Sequence, residues 1–511
     1  MGELLVKGGY LFSPKPGATS PIFLKDGAVV VKGDRIEAVG PLEELRSTYS
    51  FRKEIGSNDH LILPGLINSH HHGRGLSSFQ LGVLDDHFER WSLELKGVPR
   101  LSPYDDVLLS AIKLVESGVT TVVHMHLSRD PQNYEKEVRA ALKAYEDSGL
   151  RVSFALDFHD QSSITYQGDE SFIDSLPSSL QDEIKTRWAA PLPLTPEDEF
   201  EILEKIFHEF HCRGRIKILL GPRGPQWCSD DLLRRVKERA GRYGTGIQIH
   251  VLETPYQKAY GLRKYRRSLI EHLAEIGFLG PQVALAHAIW LTSQDIELLA
   301  RYETSIVHNP SSNLRLGSGI APLRKYLDHS IPVGLGTDGM GLNDDDDLIQ
   351  EMRLCMHLYH LPGLDYHSVP CHQIWHMVTL HGAELALCSG EIGTIEVGKK
   401  ADLILVRKKK MEEPFLHPKR KLWEAFLYRA KASDVETVII DGEVMMENHL
   451  FKRIDKEALM ERLRGEAMSF RRPNEEAFHQ SLYGLIDHVS HFYEGWGTPG
   501  IKPFYIYNSE N

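Results

Sequence analysis

From Leu61 to about Cys388, short apolar runs alternate with longer amphipathic stretches. Eight of the runs read as strands: LILPGLINSHHH (61–72), VTTVVHMH (119–126), RVSFALDFH (151–159), RIKILLGPR (215–223), IQIHVLE (247–253), VALAHAIW (283–290), SIVHNP (305–310) and IPVGLGTDG (331–339). Between several of them lie stretches such as YDDVLLSAIKLVESG and SDDLLRRVKERAGRYG. Their apolar residues recur every three or four positions, the period of an amphipathic helix. Both flanks differ. VVVKGDRIEAVG predicts a hairpin around a Gly-Asp turn, and TIEVGKKADLILVRK and VETVIIDGEVMMEN repeat that style with Gly-Lys-Lys and Asp-Gly at their turns. From about Phe451 a charged helix, DKEALMERLRGEAMSF, leads to the aromatic-rich HFYEGWGTPGIKPFYIYN. Two readings fit that end: a tail packed over the rest or at a subunit interface, and a cover over a substrate pocket.

Eight strands alternating with helices predict an α/β fold, either a (β/α)8 barrel or a doubly wound open sheet. The polar residues decide for the barrel. His70 and His72, His124 and His126, Asp157 and His159, His250, His287, and Asp338 fall at or near the C-terminal ends of six of the eight runs. Barrel enzymes build their active sites at that face from the ends of several strands.

Composition narrows the function. The chain has 511 residues, 41% hydrophobic and 25% charged, with a formal net charge of −12. Nucleic acid and anionic membrane both require a basic surface, so neither is expected as a partner. Cys212, Cys228, Cys355, Cys371 and Cys388 are odd in number, scattered and without a C-x-x-C pair, which points to a reducing compartment. MGELLVKGGYLFSP lacks the uninterrupted apolar stretch of a signal peptide, and no run approaches a bilayer span. The expectation is a cytoplasmic protein.

Chemistry concentrates in three places. In an extended strand, residues i and i+2 point to one side, so His70 and His72 can aim at a common point while His71 faces away. IHVLET adds His250 with Glu253 three residues on, VALAHAIWL adds His287, and VGLGTDG adds Asp338. Imidazole and carboxylate suit zinc, and a catalytic zinc keeps a position open for water whose pKa it lowers toward ~7.

The order H-x-H, H-x-x-E, H and T-D-G resembles the amidohydrolase superfamily. More narrowly it resembles the branch of S-adenosylhomocysteine and methylthioadenosine deaminases, guanine deaminase and the s-triazine hydrolases. The resemblance covers roughly residues 1–450, through PGLINSHHH, SGVTTVV, IHVLET, HNPSSNLRLGSGIAPL, GLGTDG and IGTIEVGKKADLILV. It implies a TIM barrel over 61–388, a small β-sandwich from 1–60 and 389–450, and a C-terminal extension over 451–511. It also implies one divalent ion per chain, zinc before Fe2+ or Mn2+, on His70, His72, His250 and Asp338. Asp338 would also accept a proton from the attacking water, Glu253 would carry it to the leaving group, and His287 would hydrogen-bond the water or the developing oxygen. Some relatives bridge two metals through a carboxylated lysine on strand four, where this chain has Lys217. H-x-x-E accompanies the one-metal type. A homodimer or higher homo-oligomer is expected from the same resemblance.

The substrate region departs from the family. Where relatives read close to P-H-x-P, this chain has GPRGPQWCS, with Arg223 in place of a substrate-contacting histidine and Trp227 nearby. Arginine prefers carboxylate, phosphate or carbonyl oxygens, which hints at an acidic or oxo-bearing substrate. A salt bridge within the loop accounts for it equally. In GRGLSSFQLGVLDDHFERW, the candidate contacts to a flat polar ring are Arg74, Asp86 and Trp91. The run Asn343–Asp347 resembles a calcium loop, but an acidic start to the helix DLIQEMRLCMHLYH explains it more simply.

Together these features predict a zinc-dependent aminohydrolase in which hydroxide attacks an sp2 carbon of a small nitrogen heterocycle and releases ammonia or an amine. Hydrolysis of an amide, urea or ring C–N bond, or displacement of chloride, would use the same site. A non-catalytic scaffold would lack ligands or the proton shuttle, and every expected position is filled.

Overall fold

A computed structural model describes residues 3–99, 101–161, 164–187, 192–360, 364, 368–470 and 475–496. Eight parallel strands follow one another around a nearly closed barrel: β1 Leu66–His71, β2 Val119–Met125, β3 Arg151–Phe158, β4 Ile216–Pro222, β5 Ile247–Val251, β6 Val283–His287, β7 Ser305–His308 and β8 Val333–Leu335. Just past β8, Asp338 N–H donates to the His70 carbonyl (3.0 Å) and Asn68 Nδ2 to Thr337 Oγ1 (2.7 Å), drawing the last strand onto the first. All eight expected strands are present.

Their side chains alternate as a two-residue period requires. Ile67, Val123, Ala155 and Leu219 join one buried cluster with Ala383, Ala386 and Ile392. Val122, Phe154, Leu156 and Leu220 join another with helix residues such as Ile112, Val138 and Leu203. Both faces are therefore covered, which explains why these strands read as continuous apolar runs.

The first of those runs, 61–72, is two strands rather than one. His60–Pro64 belongs to a different, seven-stranded sheet, where it pairs with Leu403–Arg407 and Tyr10–Ser13. The break falls at Gly65, where a Cβ would lie 2.1 Å from Thr120 Oγ1. A four-stranded sheet holds the hairpin Gly27–Lys32 with Arg35–Pro41. Val6, Val31 and Ile55 from that sheet meet Ile62, Leu403 and Ile439 of the larger one in a shared core. The Asp-Gly turn is also present: Ile440 pairs with Glu443 across Asp441 and Gly442, with φ of 49° and 73°.

The C-terminal region forms two helices, Lys456–Ser469 and Glu475–Glu494, and residues 497–511 of the aromatic end lie outside the described residues. Among the described residues no helix is long and apolar enough to cross a membrane.

Candidate functional site

The C-terminal strand ends converge as the polar pattern requires. His70 lies at the C-terminal end of β1, one residue before its last, where the pairing with β2 slips register between Asn68 and His71, and such irregularities re-aim side chains beside active sites. His250 stands near the end of β5, His287 ends β6, and Asp338 follows β8. His287 and Asp338 adopt left-handed φ of 69° and 60°, a costly conformation for residues with a Cβ. Gly336 is required nearby, because a Cβ there would sit 2.8 Å from both His70 Cβ and His70 N.

Every imidazole is held by its Nδ1. His72 donates to the Met125 carbonyl (2.7 Å) and His250 to the Arg223 carbonyl (2.8 Å). His70 donates to Gln248 Oε1 (2.7 Å), an amide oriented by its own bond from Nε2 to the Ser69 carbonyl (2.9 Å). His287 donates to Asn313 Oδ1 (2.9 Å). Carbonyl and amide oxygens accept only, so each Nδ1 carries the proton and each Nε2 presents a lone pair. Burial keeps His72 and His287 neutral, pulling both down to about 4 against the pull of Asp338, and burial holds His250 well below the usual histidine range.

Those lone pairs face a carboxylate. Asp338 Oδ1 lies 3.1 Å from His70 Nε2 and 2.9 Å from His72 Nε2, and Oδ2 accepts from Ser312 Oγ (2.6 Å). His70 Nε2 and Asp338 Oδ1 are buried without a hydrogen-bond partner. Lone-pair atoms this close repel unless a cation lies between them. The ligand atoms of His70, His72 and His250 lie within 4.8 Å of one another, as do those of His70, His287 and Asp338. The donor set therefore fits a divalent ion, and the outer oxygens that orient it are the usual support of such a site.

Glu253 follows β5 and is buried, with Oε1 3.9 Å from His287 Nε2. Burial, then the charges of Asp338 and Glu89, lift its carboxyl well above the usual range, which favours its protonated form. A cavity of about 480 Å³ opens over the cluster, walled by Phe88, Trp91 and Trp227, with Arg74, Arg129 and Arg223 among its polar groups. Its wall is tied together behind the surface. Glu89 Oε1 accepts from Thr254 Oγ1 (2.5 Å) and Tyr166 Oη (2.9 Å), and Tyr166 N–H donates to Tyr493 Oη (3.1 Å) on the C-terminal helix. Phe478 from the same helix lines the cavity, so this extension both packs on the barrel and walls the pocket.

Of the substrate contacts expected from sequence, Arg74, Trp91, Arg223 and Trp227 line the cavity. Asp86 does not: it pairs with Arg90 (3.0 Å) and accepts from His87 N (2.7 Å), the work of a residue before a short helix. Arg223 is committed to the buried Asp157, with Nε 3.2 Å from Oδ1 and Nη2 on Oδ2; the guanidinium is ion-paired, but to β3 rather than within its own loop. His124 is bound to Tyr145 Oη (2.8 Å), while His126 stands 3.9 Å from Glu137; neither lines the cavity, unlike His159. Lys217 ties Leu387 O and Glu391 Oε1, both at 2.6 Å, away from the cluster. The acidic run serves caps and ion pairs: Asp347 Oδ1 accepts from Ile349 and Gln350 N–H, Asp344 binds Arg315, and Asp346 faces His71 at 3.2 Å.

Sequence reasoning missed Gln248, Asn313, Ser312 and Arg129. Asn313 and Ser312 lie inside HNPSSNLRLGSG, whose polar density marked them. Gln248 lies two residues before His250 on the same strand face, a position that turns its amide toward the histidine cluster.

A model of the amidohydrolase family matches residues 61–445, and one of a bacterial imidazolonepropionase-like composite domain matches 27–49. The chain is 32% identical over 475 residues to the 5'-deoxyadenosine deaminase of Methanosarcina acetivorans, covering 91% of this chain and 98% of that protein. It is 34% identical over 437 residues to the 5-methylthioadenosine/S-adenosylhomocysteine deaminase of Caldanaerobacter subterraneus subsp. tengcongensis, covering 84% and 90%. The solved structure of an adenosine deaminase from Xanthomonas campestris with bound zinc superposes with a TM-score of 0.75 at 24% identity, covering 91% of this chain and 97% of that one. The chain belongs to the amidohydrolase family.

Proposed function

We propose that this protein is a metal-dependent aminohydrolase that removes ammonia from an amidine-type carbon in a six-membered nitrogen ring of the aminopurine kind. One observation carries the reading: Nδ1-tethered histidines turn their Nε2 atoms on a buried carboxylate, with a second carboxyl, its pKa raised by burial, beside them. Relatives named as deaminases of 5'-deoxyadenosine and methylthioadenosine support the choice of ring.

His70, His72, His250 and Asp338 would hold one zinc ion, which when bound supplies Lewis acidity and lowers the pKa of a water toward ~7. The position of Lys217, tied to Glu391, supports one ion rather than two. The aromatic walls Phe88, Trp91 and Trp227 hold the ring flat over the cluster. Asp338 accepts one proton of the attacking water as its oxygen bonds to the ring carbon and passes it back to Glu253 after ammonia leaves. The neutral Nε2 of His287 accepts a hydrogen bond from the water's remaining O–H. Glu253 gives its proton to the ring nitrogen, and the proton later left on the new hydroxyl passes to the exocyclic nitrogen. The C–N bond then breaks and ammonia departs, leaving an oxo-substituted ring.

The test is ammonia release by zinc-loaded protein across aminopurines, aminopyrimidines, pterins and aminotriazines, with Glu253→Gln as control. Release from an aminopurine that disappears in the variant supports the reading. Silence across the panel, from protein holding one zinc per chain, sinks deamination and favours amide or urea cleavage at the same centre.

A further inference from the structure

The cavity carries more positive charge than its chemistry needs. Arg74, Arg129 and Arg223 all line it, in a chain whose net charge is −12. Only Arg223 has its countercharge, the buried Asp157. Among the described residues no carboxylate within ion-pair distance is found for Arg74 or Arg129.

The acids nearest Arg74 are already engaged. Asp106 accepts from the Gly75 and Leu76 amides (2.7 and 3.3 Å), and Asp338 faces His70 and His72. Arg74 instead leans toward the Trp91 ring, 6.0 Å from its centroid, and Arg129 is close enough to repel it. Arg129 Nη1 is buried with no hydrogen-bond partner. Its backbone, however, is fixed: Glu137 Oε1 accepts from Arg129 N–H (3.0 Å), and Glu137 Oε2 accepts from Ser128 Oγ (2.5 Å) and Asp130 N–H (3.3 Å). A loop locked in this way holds a partly buried guanidinium at the cavity wall. Two guanidiniums facing one cavity, neither of them ion-paired among the described residues, match an oxyanion, whose oxygens accept their forked N–H groups.

We propose that Arg74 and Arg129 together recognise a negatively charged oxygen group on the substrate, so that the preferred substrate is an anionic aminoheterocycle. This inference rests on the aminohydrolase reading for its ring, and on the arginine pair alone for its charge. The anion is either a substituent on the ring itself or a phosphate on an attached sugar. In both cases it lies within reach of the ring bound over the cluster, because Arg74 is two residues beyond His72 and beside the Trp91 wall.

Two matched pairs distinguish the sources: 4-aminopyrimidine-5-carboxylate against 4-aminopyrimidine, and adenosine 5'-monophosphate against adenosine. Zinc-loaded protein is assayed for kcat/KM on all four, as wild type, Arg129→Gln and Arg129→Lys. In wild type the anionic member of one pair is preferred at least tenfold, and which pair responds locates the anion. Arg129→Gln brings that ratio close to one, and Arg129→Lys, which keeps the charge and the fold but loses the fork, gives an intermediate ratio. Equal or reversed preference in both pairs overturns the proposal, as does a preference that survives Arg129→Gln. If none of the four releases ammonia, calorimetric binding of the same pairs to the zinc-loaded protein replaces the rates. Tighter binding of an anionic member, lost in Arg129→Gln, then upholds the arginine pair while the deaminase reading fails. Binding without preference overturns the pair itself.

Discussion

Gln248→Leu isolates the orientation of one ligand. Gln248 is buried and never reaches the cavity; its Oε1 accepts from His70 Nδ1 at 2.7 Å, and its Nε2 is spent on the Ser69 carbonyl at 2.9 Å. Leucine fills nearly the same volume and removes both bonds. Two effects follow, and they separate. An unpaired buried N–H costs about 1–3 kcal/mol whether or not an ion is present, so the metal-free and loaded proteins lose stability alike. Losing the acceptor also frees His70 to change tautomer and to rotate, which affects only the loaded state. Removing such an outer partner weakens metal binding by about 10- to 100-fold, or about 1.4–2.7 kcal/mol. The assay is competition for zinc against a chromophoric chelator, with the thermal midpoint of metal-free protein recorded beside it. A zinc Kd within twofold of wild type, in a variant that folds, would refute the argument that Nδ1 tethers direct the lone pairs.

The other expectations concern the acid, the second arginine and the wall. Glu253→Gln lowers kcat by roughly 10²–10⁴ at unchanged zinc content, read by ammonia release and metal analysis. Because burial raises the Glu253 pKa, its proton persists above the ordinary carboxylate range; wild-type activity falls as pH rises through that raised pKa, and the variant lacks this limb. Arg223→Met leaves Asp157 buried without its countercharge and destabilises the protein by about 3 kcal/mol in urea unfolding; adding Asp157→Leu recovers much of the loss, and if it recovers none the pair is not the cause. Phe478→Ala removes a ring from the cavity wall and raises KM roughly tenfold with kcat nearly unchanged; a fall in kcat alone would place Phe478 in the chemistry instead.

Much of the barrel was legible because covered parallel strands are apolar throughout and their active ends are not. His70, His72, His250, His287 and Asp338 stood out as polar residues closing apolar runs, and the structure brings all five together. The i, i+2 rule separated His71 correctly, since it turns to Asp346. What stayed hidden is carried by distance along the chain. Gln248 and His70 are 178 positions apart, and no local pattern announces that a glutamine will choose a tautomer. The same holds for Arg223, whose partner Asp157 lies 66 positions away, and for Arg129, whose value comes from lacking a partner. The run 61–72 misled because apolarity continues across two sheets, and only Gly65 marks the passage. Asp86 was legible as polar and near the site, but its neighbour Arg90 claims it.

The central claim is that one metal on this cluster enables hydrolytic deamination, and an activity titration tests it most directly. Zinc is added stepwise to metal-free protein while ammonia release is followed from the aminopurine that responds in the substrate panel. Activity is expected to be absent at the start, rise in proportion to the zinc added, and break sharply at one ion per chain. Full activity without metal, or a break at two ions per chain, would contradict the account.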